Sequence, residues 1–185
     1  RRIPEMMLST IALIGPESTG KTALCRALST HYDCPWLEEY ARTYVEQLQR
    51  EYTYADVEQI ARHQVQALAQ AQATYAESHR FLFIDTDLIV TKVWFEHVYK
   101  RMPEWLPDAI RRQHIDFYLL CKPDLPWQFD PVRENPHLRD YLFDWYKREI
   151  EMCGIAYATI EGCGSIRTRN ATQVIDSQFI KIKPS

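Results

Sequence analysis

The residues best suited to chemistry in this sequence stand near its beginning, where Gly15 and Gly20 bracket four residues and Lys21 and Thr22 follow. Glycines at these places let successive backbone N–H groups point at one anion, because no Cβ blocks the approach. A lysine ammonium there would bridge the β- and γ-phosphates of a nucleotide, and the threonine hydroxyl would ligate Mg²⁺. The pattern matches the Walker A phosphate loop and predicts ATP and Mg²⁺ as cofactors. The residues expected to contact the nucleotide are Gly15, Glu17, Ser18, Thr19, Gly20, Lys21 and Thr22.

Two carboxylates follow an apolar run at 81–84. Asp85 has the place of a Walker B carboxylate, which would hold Mg²⁺ together with Thr22. Asp87 would point the same way if the strand continued through it, so that one carboxylate serves the metal and the other the acceptor hydroxyl. The alternative for either residue is an acidic N-cap of the following helix.

Three further polar residues are candidates for holding a substrate. Glu39 and Arg42 follow the second apolar run, whose carboxyl end should neighbour the phosphate loop in a doubly wound sheet. They would grip a hydroxylated substrate, or else form a solvent-exposed charge pair on a helix. Gln64 lies in a long segment of helical periodicity, where it would read an amide or a base edge, or simply face solvent.

The proline-rich segment 123–136 predicts an ordered, irregular loop of the kind that serves as a lid. Arg133 would then lie over the transferred phosphoryl group, since kinases bring arginines to that charge when a lid closes. Asp130 stands three residues before it. Trp127 would stack on an aromatic substrate ring or pack the loop against the core.

The elements that must position these residues alternate along the chain, as in a βαβ architecture. We expect a three-layer α/β fold of the P-loop type, with a central five-stranded parallel sheet and helices on both faces, as a single domain over residues 1–185. The predicted strands are 9–14, 35–37, 81–84, 117–121 and 155–160, and the main predicted helices are 21–32, 54–79 and 136–152. Residues 180–185 would add an edge strand or fray.

Composition excludes several classes of function. The formal net charge of −3 provides no field for a polyanion, so we expect no nucleic-acid partner. No apolar run approaches the ~18 residues that a membrane span needs, so we expect no membrane association and a cytoplasmic location. The five cysteines lack any Cys-x-x-Cys pair, which argues against a zinc site or a disulfide framework.

Taken together, these motifs resemble the ribosylnicotinamide kinase domain of bacterial regulators of NAD biosynthesis, over about residues 15–175. The resemblance is carried by the phosphate loop and by Glu39-Tyr40-Ala41-Arg42, His63-Gln64, Ile84-Asp85-Thr86-Asp87 with Thr91, and Pro126-Trp127 leading to Asp130 and Arg133. It implies phosphorylation of the 5′-hydroxyl of nicotinamide riboside by ATP, giving nicotinamide mononucleotide.

The resemblance also implies roles for individual residues. Asp87 and Glu39 would hold the ribose or take its 5′-hydroxyl proton, while Arg42 and Gln64 position the substrate. Trp127 would offer an aromatic platform to the cationic ring.

Two alternatives stay open from the sequence. One is a P-loop kinase for another nucleoside or a small alcohol. The other is an ATP-dependent switch or AAA-like ATPase module without a small-molecule acceptor, which Lys21, Thr22 and Asp85 would serve equally well. The sequence leaves the oligomeric state undetermined.

Overall fold

The computed structural model describes residues 7–17, 19–124 and 136–180. Strands and helices alternate along these ranges. The strands are β1 (Ser9–Ile14), β2 (Trp36–Leu37), β3 (Phe81–Asp85), β4 (Phe117–Cys121) and β5 (Tyr157–Ile160). The α-helices are α1 (Lys21–Tyr32), α2 (Tyr40–Gln47), α3 (Tyr54–Tyr75), α4 (Leu88–Tyr99), α5 (Leu106–Arg112), α6 (Arg139–Cys153) and α7 (Gly164–Phe179), and a 3₁₀ turn, Pro136–Leu138, precedes α6.

The five strands form one parallel sheet in the order β2-β3-β1-β4-β5. The chain leaves β1 for the far edge at β2, returns to β3 beside β1, and then crosses to β4 on the other side. The carboxyl end of β1 is therefore the point where the strand order reverses, and ligands bind at such points in open α/β sheets. The predicted phosphate loop follows β1 at this place.

The sheet is covered on both faces, as the unbroken apolar runs predict. Alternate residues of the central strands point to opposite faces, so each strand supplies both cores. On one face, Ile14, Ile84 and Leu120 pack in a core that includes side chains of α3, α4, α5 and α6. The other face packs against α1 and α7, through Leu13 and Phe83 among others. The predicted three-layer α/β fold is confirmed.

Most predicted elements lie where the sequence placed them. β1, α1 and β4 have the predicted bounds, while β5 begins at Tyr157, α3 ends at Tyr75 and β2 is only two residues long. Helix α7 was not among the predicted elements. The apolar periodicity of α7 is weak because only Arg167, Ala171 and Ile175 are buried and the first of these is charged. The alternatives for 180–185 remain open, because residues 181–185 lie outside the described part of the chain.

None of the helices in the described ranges is long and apolar enough to cross a lipid bilayer.

Candidate active site

The loop between β1 and α1 has the geometry that phosphate binding needs. A Cβ on Gly15 would lie 2.6 Å from the carbonyl oxygen of Cys121, so only glycine allows the loop to approach β4 this closely. Gly20 adopts a left-handed conformation with φ 74° and forms the N-cap of α1. The unpaired N–H groups of the first helical turn thus open toward the loop, which favours an anion there.

The side chain of Lys21 folds back over this loop and is held there by backbone carbonyl oxygens of the loop. Its Nζ donates to the carbonyl oxygens of Gly15 and Pro16, at 2.8 and 2.9 Å. An ammonium has three donors, so these two bonds position Nζ while leaving it capable of binding a phosphate oxygen. Thr19 is buried, and its hydroxyl donates a hydrogen bond to the carbonyl oxygen of Pro16, which stabilises the same turn.

Thr22 and Asp85 come together as the predicted metal pair. The Thr22 hydroxyl donates to Asp85 Oδ2 at 2.5 Å, and Asp85 is 1% exposed at the end of β3. Both are hard oxygen donors beside the phosphate loop, which suits Mg²⁺. Among the described residues, no group of three or more His, Cys, Asp or Glu side chains could hold a metal. Mg²⁺ does not require one, since it keeps several waters and takes its other ligands from substrate phosphates.

The strand does not continue through Asp87, so the condition under which Asp85 and Asp87 would point the same way is not met. β3 ends at Asp85, and Thr86 adopts a left-handed conformation with φ 72°. That conformation is strained for a β-branched residue and interrupts the extended backbone between the two carboxylates. Asp87 instead forms the N-cap of α4 and accepts a hydrogen bond from the Ile89 N–H at 3.1 Å. The N-cap alternative is confirmed for Asp87.

The Asp87 carboxylate also belongs to a buried polar network. Its Oδ2 accepts from the Tyr118 hydroxyl at 2.6 Å and from Gln113 Nε2 at 2.9 Å. Burial raises the pKa of Asp87 from its ordinary 3.8 to about 6, although these hydrogen bonds and that from Ile89 favour the ionised form and oppose the shift. Burial and the neighbouring Asp87 charge raise the pKa of Tyr118, which keeps the phenol protonated as the donor.

The raised pKa of Asp87 predicts a pH-dependent stability. Between about pH 4 and pH 6 the folded chain binds more protons than the unfolded chain, so the free energy of unfolding falls as pH rises through this window. A shift of about two units corresponds to about 3 kcal/mol of stability lost by neutral pH. We expect Asp87→Asn to remove that fall in urea unfolding measured at several pH values. Asp144→Asn, at an exposed position on α6, is the control and should keep the wild-type profile. Parallel profiles for Asp87→Asn and wild type would contradict the assignment.

Two cavities open at this edge of the sheet. The phosphate-loop cavity, of about 320 Å³, runs from Gly15, Lys21 and Thr22 to side chains of α4 and α6. The second, which we call the side cavity, has about 330 Å³ and lies between the end of β2, α2, α3 and the start of α4. Glu39 and Thr86 line both cavities. Each volume is within the range of small-molecule sites.

The predicted substrate residues divide between these cavities. Gln64 and Asp87 line the side cavity, and Gln64 Oε1 accepts from the Thr91 hydroxyl at 2.6 Å, which leaves its amide N–H₂ end as a donor for a ligand. Arg42 lines the phosphate-loop cavity and also pairs with Glu46 at 3.6 Å, so the helical charge pair is present as well. Glu39 is the N-cap of α2 but makes no side-chain capping bond to it.

Several residues of the site were not predicted. Tyr40 and His63 stack with ring centroids 3.5 Å apart and both line the side cavity; they stood in the quoted motifs without a role. Gln113 lines the same cavity, and nothing in its sequence neighbourhood indicated this.

Arg167 is 2% exposed, and its guanidinium donates to the carbonyl oxygens of Thr19, Lys122 and Gly162 and pairs with Asp124. It ties the phosphate loop to the ends of β4 and β5.

Four predicted residues lie outside the described ranges: Ser18, Trp127, Asp130 and Arg133. Residues 125–135, most of the expected lid, also lie outside them. Their roles stay predictions.

Solved structures with this architecture define the class of protein. The NadR protein in complex with NR has a TM-score of 0.78 at 22% identity, covering 97% of this chain and 52% of that chain. A deoxyadenosine kinase from M. mycoides has a TM-score of 0.64 at 11% identity, covering 91% of this chain and 99% of its own. A thymidylate kinase from Ehrlichia chaffeensis follows at 0.61 and 11% identity, covering 93% and 99%. The chain therefore has the α/β fold of P-loop kinases.

Sequence comparison identifies the family. The family described as "AAA domain" matches residues 10–169, and the chain belongs to it. The chain is 27% identical over 135 residues to the trifunctional NAD biosynthesis/regulator protein NadR of Salmonella typhimurium (strain LT2), covering 71% of this chain and 32% of that protein. The Escherichia coli (strain K12) protein of the same name is 26% identical over 137 residues, with the same coverage. The chain spans about a third of the length of these curated relatives, and the predicted resemblance is confirmed as homology to NadR.

Proposed function

We propose that this protein is an ATP-dependent kinase that phosphorylates the 5′-hydroxyl of nicotinamide riboside and so produces nicotinamide mononucleotide. The observation that carries the proposal is the pair of adjoining cavities that share Glu39 and Thr86 in their walls. ATP would place its phosphates on the loop from Gly15 to Thr22, and the riboside would occupy the side cavity. A phosphoryl group would then cross between the two beside Glu39.

Glu39 is the residue best placed to take the proton. In the transfer, the 5′-oxygen attacks the γ-phosphorus, the bond from that phosphorus to the β,γ-bridging oxygen breaks, and ADP leaves. The hydroxyl proton passes to a carboxylate, and Glu39 lines both cavities whereas Asp87 lines only the side cavity. Asp87 Oδ2 is also already occupied by Tyr118 and Gln113. We therefore assign the proton to Glu39 and the orientation of the riboside to Asp87.

The remaining groups stabilise charge. Lys21 would bind the β- and γ-phosphate oxygens as the transition state spreads charge over them. Bound Mg²⁺, held by Thr22 and Asp85, would neutralise part of the same charge. Phosphoryl transfer needs little covalent help from the protein, so positioning and charge supply the rate.

The charges of the side cavity favour nicotinamide riboside over uncharged nucleosides. Its described lining includes the carboxylates Glu38, Glu39 and Asp87, and no lysine or arginine. A pyridinium ring is cationic, so these carboxylates attract it. The stacked rings of Tyr40 and His63 lie in the same wall and offer aromatic surface to a flat ring. The homology to NadR, which has been solved in complex with NR, points the same way.

Acceptor-dependent ADP release tests the proposal. We expect nicotinamide riboside to raise ADP release by purified protein with ATP and Mg²⁺ far above the rate with water alone, with nicotinamide mononucleotide identified by mass. Deoxyadenosine and glycerol, at equal concentration, should give much lower rates. If none of these acceptors raises ADP release, the chain is an ATPase or switch module and the proposal fails; a preference for deoxyadenosine would assign it to another nucleoside.

A further inference from the structure

Arg167, on α7, is a charged side chain buried behind the phosphate loop. It is 2% exposed, and its guanidinium meets four acceptors. Nε donates to the Gly162 carbonyl oxygen at 2.6 Å, and Nη2 donates to the Lys122 carbonyl oxygen at 3.0 Å. Nη1 donates to the carbonyl oxygen of Thr19, and Nη2 also pairs with the Asp124 carboxylate. No other side chain carries enough donors for such a set.

These contacts exceed what the packing of α7 requires. The helix already packs into the core on its side of the sheet through Ala171 and Ile175, which are fully buried. A buried ion pair is weak evidence for stability, because apolar residues of similar volume often serve as well or better. The reason for a guanidinium at this place therefore lies in the groups that it holds, and one of them belongs to the phosphate loop.

The hydrogen bond to Thr19 fixes the direction of one peptide group of this loop. The bond between Thr19 and Gly20 is trans, so the Thr19 carbonyl and the Gly20 N–H point in opposite directions. Gly20 belongs to the described lining of the phosphate-loop cavity and Arg167 does not, so the N–H is turned away from the guanidinium and toward the cavity. No described backbone carbonyl accepts from this N–H. The charged donor on the carbonyl also polarises the peptide and strengthens its N–H as a donor.

Arg167 also fixes the second end of the loop to the sheet. At the first end, Gly15 lies so close to the carbonyl oxygen of Cys121, the last residue of β4, that a Cβ would clash with it. Arg167 joins the other end to the next residue of the chain, since it donates to both Thr19 and Lys122. With both ends held at β4, the loop needs less ordering when it binds an anion.

We propose that Arg167 is a positioning residue for nucleotide binding, whose guanidinium holds the Thr19 carbonyl so that the Gly20 N–H faces the β-phosphate. The β-phosphate is a group that loops of this kind enclose. Arg167 touches no substrate and acts through the loop. The inference rests on the part of the proposed function that places ATP at this loop, and it does not depend on the identity of the acceptor.

The test compares a nucleotide that carries a β-phosphate with one that lacks it. Dissociation constants for ADP and AMP are measured by calorimetry in the presence of Mg²⁺. We expect Arg167→Met, which keeps the volume but not the guanidinium, to weaken ADP binding about tenfold, as the loss of one charge-assisted hydrogen bond predicts. AMP binding should not change. In steady-state turnover the KM for ATP should rise by a similar factor, while the KM for nicotinamide riboside stays at the wild-type value.

Three further variants separate positioning from a general loss of stability. Arg167→Lys keeps the charge and part of the donor set, so it should weaken ADP binding less than Arg167→Met does. Asp124→Asn removes the charge of the ion-pair partner but leaves the guanidinium on Thr19, so it should lower the unfolding temperature while keeping the wild-type affinity for ADP. Arg169→Met removes an exposed charge from the same helix and should match wild type in every measurement.

Each outcome decides between the two proposals. Wild-type ADP affinity in Arg167→Met, equal weakening of ADP and AMP, or an equal loss of ADP affinity in Asp124→Asn would overturn the role of Arg167 and leave the kinase assignment intact. Loss of the fold in both Arg167 variants, followed by thermal unfolding, would assign the residue to folding and overturn that role as well. Selective loss of ADP affinity in a protein that phosphorylates no riboside would support Arg167 and overturn the proposed function. If wild type binds neither ATP nor ADP, both proposals fail.

Discussion

Replacing Lys21 by alanine should lower kcat by about 10³ while the chain stays folded, because a cation that meets the developing phosphate charge contributes about 4 kcal/mol to the barrier. Lys21 Nζ is held over the loop by the carbonyl oxygens of Gly15 and Pro16, which places its charge at the predicted phosphate site. The measurement is steady-state ADP release with saturating ATP and nicotinamide riboside, together with circular dichroism of the variant.

The matched control for this change is Lys147→Ala, which removes the same charge from an exposed position on α6. It should retain wild-type kcat and KM.

Asp85→Asn should act like Lys21→Ala, since it removes the carboxylate that meets the Thr22 hydroxyl, and extra Mg²⁺ should restore part of its activity. Near-normal turnover by Lys21→Ala would overturn the assignment of this loop as the phosphate site.

Replacing Glu39 by glutamine should lower kcat by about 10²–10³ and change the KM for the riboside much less, because a general base contributes about that factor to the transition state. Glutamine keeps the shape and the N-cap position of the side chain but cannot take a proton. The measurement is steady-state ADP release with saturating ATP and varied nicotinamide riboside, which gives kcat and KM for the variant and for wild type.

Two further variants serve as comparisons for Glu39→Gln. Glu77 lies just after α3 and near the amino end of β3, at the end of the sheet opposite to the two cavities. Its replacement by glutamine should therefore behave as wild type. Asp87→Asn should raise the KM of the riboside more than it lowers kcat, because Asp87 orients substrate in our assignment. If instead Asp87→Asn loses turnover and Glu39→Gln keeps it, the two roles must be exchanged.

Much of the nucleotide half of the site could be predicted because its chemistry is local. Gly15, Gly20, Lys21 and Thr22 lie within eight residues, and the glycine conformations and the helix start follow from neighbours in the chain. Asp85 could be placed as well, since an unbroken apolar run indicates a buried parallel strand and its last residue must lie at the ligand edge of the sheet.

The side cavity, which we propose as the acceptor site, was harder to predict from the sequence because its walls depend on one backbone conformation and on long-range contacts. A strand that continued through Asp87 would have placed its side chain on the same side as that of Asp85. Instead Thr86 is left-handed, and the Asp87 carboxylate lies in a network with Tyr118 and Gln113. No local pattern marks φ 72° at a threonine, since a β-branched residue rarely adopts it.

What the sequence determined by itself is therefore the glycine-lysine loop from Gly15 to Thr22, the place of Asp85 at the end of β3, and the strands and helices that carry them, since each depends on periodicity or on short-range spacing. The tertiary structure decided which distant residues complete the site. Gln113 meets Asp87 across 26 residues and Arg167 meets the phosphate loop across 148, because the strand order places β3 and β4 on either side of β1 and β5 next to β4. Contacts of that kind arise from how the elements pack, and one chain's residue spacing does not encode them.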